Sequence, residues 1–376
     1  MKKIFLAIFV FLSLQSTAQY YLRIVVIDSA PKKWQDIYLA GDFNNWNPAD
    51  NNFKLQPFGG ARKVYTFQNI SPATFTFKFT RGSWDKVECN ANGTDVSNHV
   101  ITVNRDTSVE IVIKDWKDNF TSTPKQNTAS AQVQIIDTAF FMPQLNRYRR
   151  IWIYLPKNYA QSPQKKYPVI YMNDGQNLFN EQTAFAGEWG IDECLDTLQP
   201  KLHKECIVVG IDNGGDKRMT EYNPYNNDKF GKGEGKQYVD FLAETLKPFI
   251  DKKYRTLADA HHTCIAGSSM GGLISLYAVM LHAESFGEAG IFSPAFWIGP
   301  QIFDDAQKQR WSFLPRFYFY CGGKETDNMV TDMQRMYKII EDKNSYDMQE
   351  DVNSAATHNE KYWREEFPVF YKWLMQ

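Results

Sequence analysis

Ser269 stands in Gly267-Ser-Ser-Met-Gly271, and that spacing is the first candidate for chemistry in this chain. A serine hydroxyl is a weak nucleophile until a sharp strand-to-helix turn lifts it clear of its neighbours and aims the first helix amides at the space before it. The apolar run Thr263-Cys-Ile-Ala266 predicts a strand before the turn, and Leu273–Leu281 predicts a buried helix after it. The competing reading, a tight glycine corner with no chemistry, uses the same residues. A nucleophile needs a base, and there are six histidines. His99 lies in a strand-rich N-terminal part. His203, His261 and His262 precede strands and so belong to the far end of a sheet, and His282 closes the helix after the turn. His358, in the polar loop NSAATHNE, remains, and it comes last, as the order serine, acid, histidine requires.

The acid should follow a late strand between them. In RFYFYCGGKETDN the Gly-Gly turn would bring Glu325 back over the strand end; Asp327 is the second choice. Its task would be to hold the imidazole tautomer and stabilise the imidazolium. Two amides should stabilise an oxyanion: that of Met270, directly after the serine, and that of Gln176 in YMNDGQNLFN, where Gly175 lets the backbone approach substrate. No metal or other cofactor is expected, since no Cys or His cluster has ligand spacing.

The elements that must position these residues follow from the pattern. The chain has 376 residues, which argues for two domains, and a formal charge of −1, which gives no reason to expect nucleic acid or an anionic membrane as a partner. Residues 1–19 read as a secretory signal: two lysines, an apolar run from Ile4 to Leu14 too short to span a membrane, then small residues. Export to periplasm, cell surface or medium is therefore expected, with no membrane span left after cleavage. Residues 20–116 show short alternating runs between turn residues and predict an all-β antiparallel sandwich of immunoglobulin-like type. Residues 117–131, polar and without period, read as a linker. From 132 to 376 strands alternate with helical stretches, which predicts an α/β fold with a mostly parallel sheet whose first two strands are antiparallel. Five cysteines leave at least one thiol free; Cys194–Cys206 could close a short loop.

The segments RRIWIYLP, PVIYMNDGQNLF, IVVGIDNGGDKRMTEYNP, IAGSSMGGLISLY, IFSPAFW and GGKE, with the His358 loop, together resemble the esterase D-type α/β-hydrolases, which include feruloyl, acetyl-xylan and siderophore esterases. The resemblance implies an α/β-hydrolase fold and the same roles for Ser269, Glu325 and His358. It also implies that Arg218, Glu221 and Tyr222 lie near the substrate entrance, against the plainer reading of a structural ion pair. YLAGDFNNWNPAD (38–50) and the strands after it resemble starch-binding carbohydrate modules. That likeness implies that Trp46 and Trp84 stack on a sugar ring while Lys78 and Asn98 bond its hydroxyls; a sandwich with Trp46 in its core is the alternative. The leading expectation is an exported serine esterase acting on acetyl or feruloyl esters of polysaccharides or oligosaccharides, tethered to a starch-like glucan. A siderophore or other small-ester hydrolase is the second, with the sandwich counting against it. A carbohydrate-binding surface protein with an inert hydrolase domain is the third.

Overall fold

The computed structural model describes residues 19–30, 36–60, 62–120, 125–227, 230–311, 313–326, 328–343 and 347–376. The expected leader lies outside the described residues apart from Gln19, and so does Asp327. Two compact units follow one another, Met1–Thr123 and Pro124–Gln376.

The first unit is built of β1 (Tyr20–Asp28), β2 (Tyr38–Gly41), β3 (Gln56–Pro57), β4 (Arg62–Ile70), β5 (Ala73–Thr80), β6 (Glu88–Cys89), β7 (His99–Val103), β8 (Thr107–Ile113) and β9 (Asp115–Trp116). Its strands form sheets of order β3-β4-β1-β8 and β2-β5-β7 and a separate small pair β6-β9. Alternation puts Leu22, Ile24 and Val26 of β1 and Phe75, Phe77 and Phe79 of β5 into one core. The sandwich is not wholly antiparallel as expected: β1 and β8 run parallel from Leu22↔Thr107 to Asp28↔Ile113. Alternation tells which residues face inward and not which way a strand points. Because β7 belongs to the other sheet, β8 enters beside β1 without a hairpin to fix its direction.

Several of the described residues in the segment read as a linker are tied down. Lys117–Asn119 form a short 3-10 turn within the sandwich, where Lys117 N–H donates to Val87 O (3.0 Å) and Arg81 takes Asp118. In the second unit, Thr128 Oγ1 donates to Glu188 (2.8 Å) and Ser130 N–H to Asp192 (2.6 Å). Thr128 and the Ser130 backbone are anchors as much as spacers.

The second unit contains β10 (Val133–Met142), β11 (Arg147–Tyr154), β12 (Val169–Asn173), β13 (Ile207–Ile211), β14 (Thr263–Ser268), β15 (Glu288–Phe292), β16 (Arg316–Gly322) and β17 (Met348–Asn353). Its helices are α1 (Ile191–Leu202), α2 (Arg218–Glu221), α3 (Gly235–Phe241), α4 (Lys247–Lys253), α5 (Met270–Leu281), α6 (Gln301–Lys308), α7 (Met329–Glu341) and α8 (Glu360–Leu374), with a π turn over Leu242–Leu246 joining α3 to α4. The sheet order is β10-β11-β13-β12-β14-β15-β16-β17. The pairs β10·β11 and β11·β13 are antiparallel and the rest parallel. Both faces are buried, because successive residues serve opposite cores. Tyr171, Val209, Ile265 and Phe319 pack with α5 residues Leu273 and Leu276. Met172, Val208, Ala266 and Tyr320 pack with α8 residues Phe367 and Phe370. All five cysteines are free, so Cys194 and Cys206 do not close a loop.

Candidate active site

From β12 the sheet grows both ways, to β13 on one side and β14 on the other. The connections leave in opposite directions there, the kind of switch point at which α/β folds place their ligands, beyond the carboxyl ends of the strands. Asp174, Gly175 and Gln176 follow β12, and Ser269 follows β14, so both loops lie at that end of the sheet.

Ser269 has φ 59° and ψ −121°, a backbone state that costs a non-glycine residue about 1–3 kcal/mol. Close packing holds it there. A Cβ on Gly267 would lie 2.9 Å from the carbonyl of Gly271, so the turn closes only with glycine at 267. Ser269 N–H donates to Phe292 O (2.9 Å), and its carbonyl accepts from Ala295 N–H (3.0 Å). Ser269 is partly exposed whereas Ser268 is buried, which separates the two neighbouring serines. Met270 opens α5, where helix geometry leaves the first amides without an intrahelical acceptor. Gln176 sits in the 3-10 turn Gly175–Asn177; its side-chain oxygen accepts from Asn213 N–H (3.1 Å) and its carbonyl from Thr183 Oγ1 (2.7 Å). A Cβ on Gly175 would meet the Gly210 and Ile211 backbone at 2.8 Å, so the loop lies directly on β13.

Glu325 and His358 are brought together: Oε2 lies 2.7 Å from Nδ1. The Glu325 side chain is almost wholly buried, and its Oε1 accepts from Gly322 N–H (2.8 Å) and Ser293 Oγ (2.6 Å). Burial pushes this carboxyl up, but the bond and charge of His358, with those two donors, hold it below its ordinary value. Trp363 Nε1 donates to Ser293 Oγ (2.9 Å), and its ring meets the His358 imidazole edge-on at 5.0 Å. A chain of bonds thus runs from Ser269 through Phe292 and its neighbour Ser293 to Glu325 and His358. The other histidines lie elsewhere. His99 contacts Glu88 and His282 contacts Asp240 and Glu284, while His203, His261 and His262 line a cavity of about 370 Å³ at the amino-terminal end of the parallel strands.

Two of the three residues expected near the entrance, Glu221 and Tyr222, have buried side chains. Glu221 is fully buried and takes Arg147 (2.8 Å) and Arg149 (2.7 Å); Tyr222 is fully buried against Tyr238. Glu221 thus makes the ion pairs of the plainer, structural reading. Arg218, about a quarter exposed, grips Asp174 with two bonds of 2.7 and 2.8 Å. Asp174, Ser293 and Trp363 were not singled out from the sequence. Ser293 stood within IFSPAFW, and its place directly after a strand, beside the serine-bearing one, was the available signal.

In the sandwich, Trp46 and Trp84 are half-buried, with ring centroids 6.3 Å apart and planes 34° apart, so Trp46 is not a core residue. Lys78 Nζ donates to Val96 O (2.7 Å), two residues from the exposed Asn98. Asp240, Glu244 and His282 come within 4.8 Å of one another, yet both imidazole nitrogens already meet carboxylates and Lys236 takes Asp240 (2.7 Å).

Residues 143–314 match the family model described as "Putative esterase". The uncharacterized protein YbbA of Bacillus subtilis is 24% identical over 245 residues, 60% of this chain and 92% of that protein. An endo-1,4-beta-xylanase/feruloyl esterase of Xylanibacter ruminicola is 25% identical over 215 residues, 56% of this chain but 27% of the relative. Among solved structures, the enterochelin esterase of Shigella flexneri aligns with a TM-score of 0.53 at 14% identity, covering 90% of this chain and 87% of that one. The second unit therefore has the fold of esterase-like α/β-hydrolases. The last alignment extends beyond the second unit.

Proposed function

We propose that the second unit is a serine carboxylic-ester hydrolase in which Ser269 is the nucleophile, His358 the base and Glu325 the acid that orients it. The observation that carries the reading is the Glu325–His358 pair at 2.7 Å, bonded through Ser293 and the end of β15 to the strained turn at Ser269. Ser269 Oγ attacks the ester carbonyl while His358 Nε2 takes its proton. The oxyanion is received by the Met270 and Gln176 amides. Collapse breaks the bond to the alcohol oxygen, which leaves with the proton from His358. Water then repeats the sequence on the acyl-enzyme and frees the acid. Each amide donor contributes roughly 10²–10³ in rate in such sites.

For the substrate we favour an ester carried on a glycan. The feruloyl esterase relative and the Trp46–Trp84 pair, spaced to meet a sugar ring, support it. The indole of Trp297 adds to this: it is 48% exposed, in the loop that Ala295 ties to Ser269, and offers a flat surface for a ring-bearing ester. A glucan-bound sandwich would raise local enzyme concentration at its substrate. Export rests on the leader read from residues 1–19. Siderophore hydrolysis is the second reading, supported by the fold-wide likeness to enterochelin esterase. The test is turnover of acetylated xylan, methyl ferulate and a catecholate trilactone by wild type and Ser269→Ala. Ferulate or acetyl release lost in the variant supports the first reading, trilactone opening alone the second, and no serine-dependent hydrolysis removes both.

A further inference from the structure

Asp174 adopts φ 59° and ψ 47°, a left-handed state, immediately before the two residues that carry the second oxyanion amide. Its side chain is held from several directions. Arg218 donates Nε to Oδ1 and Nη2 to Oδ2, and Asn213 Nδ2 donates to Oδ1 at 2.7 Å. Its own N–H donates to Tyr222 Oη (3.2 Å), and its carbonyl accepts from Asn177 N–H (2.9 Å), closing the 3-10 turn. The carboxylate also faces the nucleophile helix: Oδ2 lies 3.3 Å from where a Cβ on Gly271 would be. Arg218 is itself aimed. It opens α2, and the last residue of α2, Glu221, is locked to Arg147 and Arg149 on β11. Glu360, two residues past His358, is raised by burial and by Asp174 and lowered by His358 and Arg218, so all four groups share one electrostatic neighbourhood.

A carboxylate in that position opposes the negative charge that an ester carbonyl develops on attack, unless a cation neutralises it. We infer that Asp174 and Arg218 are paired positioning residues: Asp174 fixes the Gly175–Gln176 backbone in its turn, and Arg218 cancels the Asp174 charge beside the oxyanion. The inference rests on the serine-esterase reading and assigns Arg218 no contact with substrate.

The test measures kcat and KM for 4-nitrophenyl acetate with wild type, Arg218→Met, Arg218→Lys and Arg218→Met/Asp174→Asn. Each preparation is normalised to serines labelled at the end point by a fluorophosphonate, so misfolding shows as fewer labelled serines and not as slower turnover. Arg218→Met should lower kcat about 10–100-fold with KM within about threefold. Arg218→Lys, which keeps the charge and loses the fork, should fall between. Neutralising Asp174 in the methionine background should recover about tenfold of the loss. Full kcat in Arg218→Met, a change confined to KM, or no recovery in the double variant overturns the inference while leaving the esterase reading intact. A wild type that neither labels nor turns over overturns both.

Discussion

Ser293→Ala tests the wiring behind His358, the proposed base. Ser293 is fully buried, and its hydroxyl both donates to Glu325 Oε1 (2.6 Å) and accepts from Trp363 Nε1 (2.9 Å). Alanine leaves the indole N–H buried without its acceptor, which costs about 1–3 kcal/mol, and removes a charge-assisted donor worth about 1.5–3 kcal/mol. Gly322 N–H still holds Oε1, so the two losses do not add fully, and about 3 kcal/mol is expected. For a unit of this size that lowers Tm by about 6–12 °C. Backbone strain adds nothing, because alanine and serine tolerate φ 44° equally poorly. Glu325 Oε2 then holds His358 with less fixed direction, and kcat should fall about tenfold with KM unchanged. Thermal unfolding and 4-nitrophenyl acetate turnover per labelled serine read the two effects. A variant that keeps both Tm and kcat would refute the reasoning, because the hydroxyl would then bridge nothing of consequence.

Glu325→Gln should lower kcat by about 10³–10⁴ through loss of the imidazole tautomer, whereas Asp327→Asn should stay within about threefold; the reverse order would make Asp327 the acid. The double variant Trp46→Ala/Trp84→Ala should lose retention on insoluble starch while turning over 4-nitrophenyl acetate at the wild-type rate, and retained binding would move the sugar site elsewhere. Burial raises Glu366 to about 7, with Tyr318 donating to it and Asp351 adding repulsion. Because the folded value lies above the unfolded one, ionisation costs stability above about pH 7, and that cost fades as pH falls towards the ordinary carboxylate range. The full shift corresponds to roughly 3 kcal/mol. Tm should therefore rise from pH 8 to pH 6 with a smaller slope in Glu366→Gln, and equal slopes in the two proteins would refute the assignment.

The α/β architecture was legible because each central strand is an unbroken apolar run and α5 is apolar on every side, which is what a doubly covered sheet requires. Elimination singled out His358 from the sequence, and the structure bonds it to Glu325. What escaped was governed by partners far away in sequence. The Arg-x-x-Glu-Tyr segment does not reveal that Glu221 is claimed by Arg147 and Arg149, more than 70 positions earlier on β11. Ser293 is one small residue after a strand, with no period to mark it, and only its bonds to Glu325 and Trp363 give it meaning. β17 is a polar edge strand without alternation, and α6 has only eight residues, so neither carried a pattern strong enough to read. The parallel β1·β8 pair escaped because strand polarity leaves no trace in alternation.

The most direct test is to treat the purified protein with a fluorophosphonate and map the adduct by peptide mass spectrometry. The account predicts one adduct on the peptide bearing Ser269, none in Ser269→Ala, and labelling at least about 100-fold slower in His358→Ala. A folded wild type that takes no label, or takes it on another serine, contradicts the assignment of Ser269 as the nucleophile.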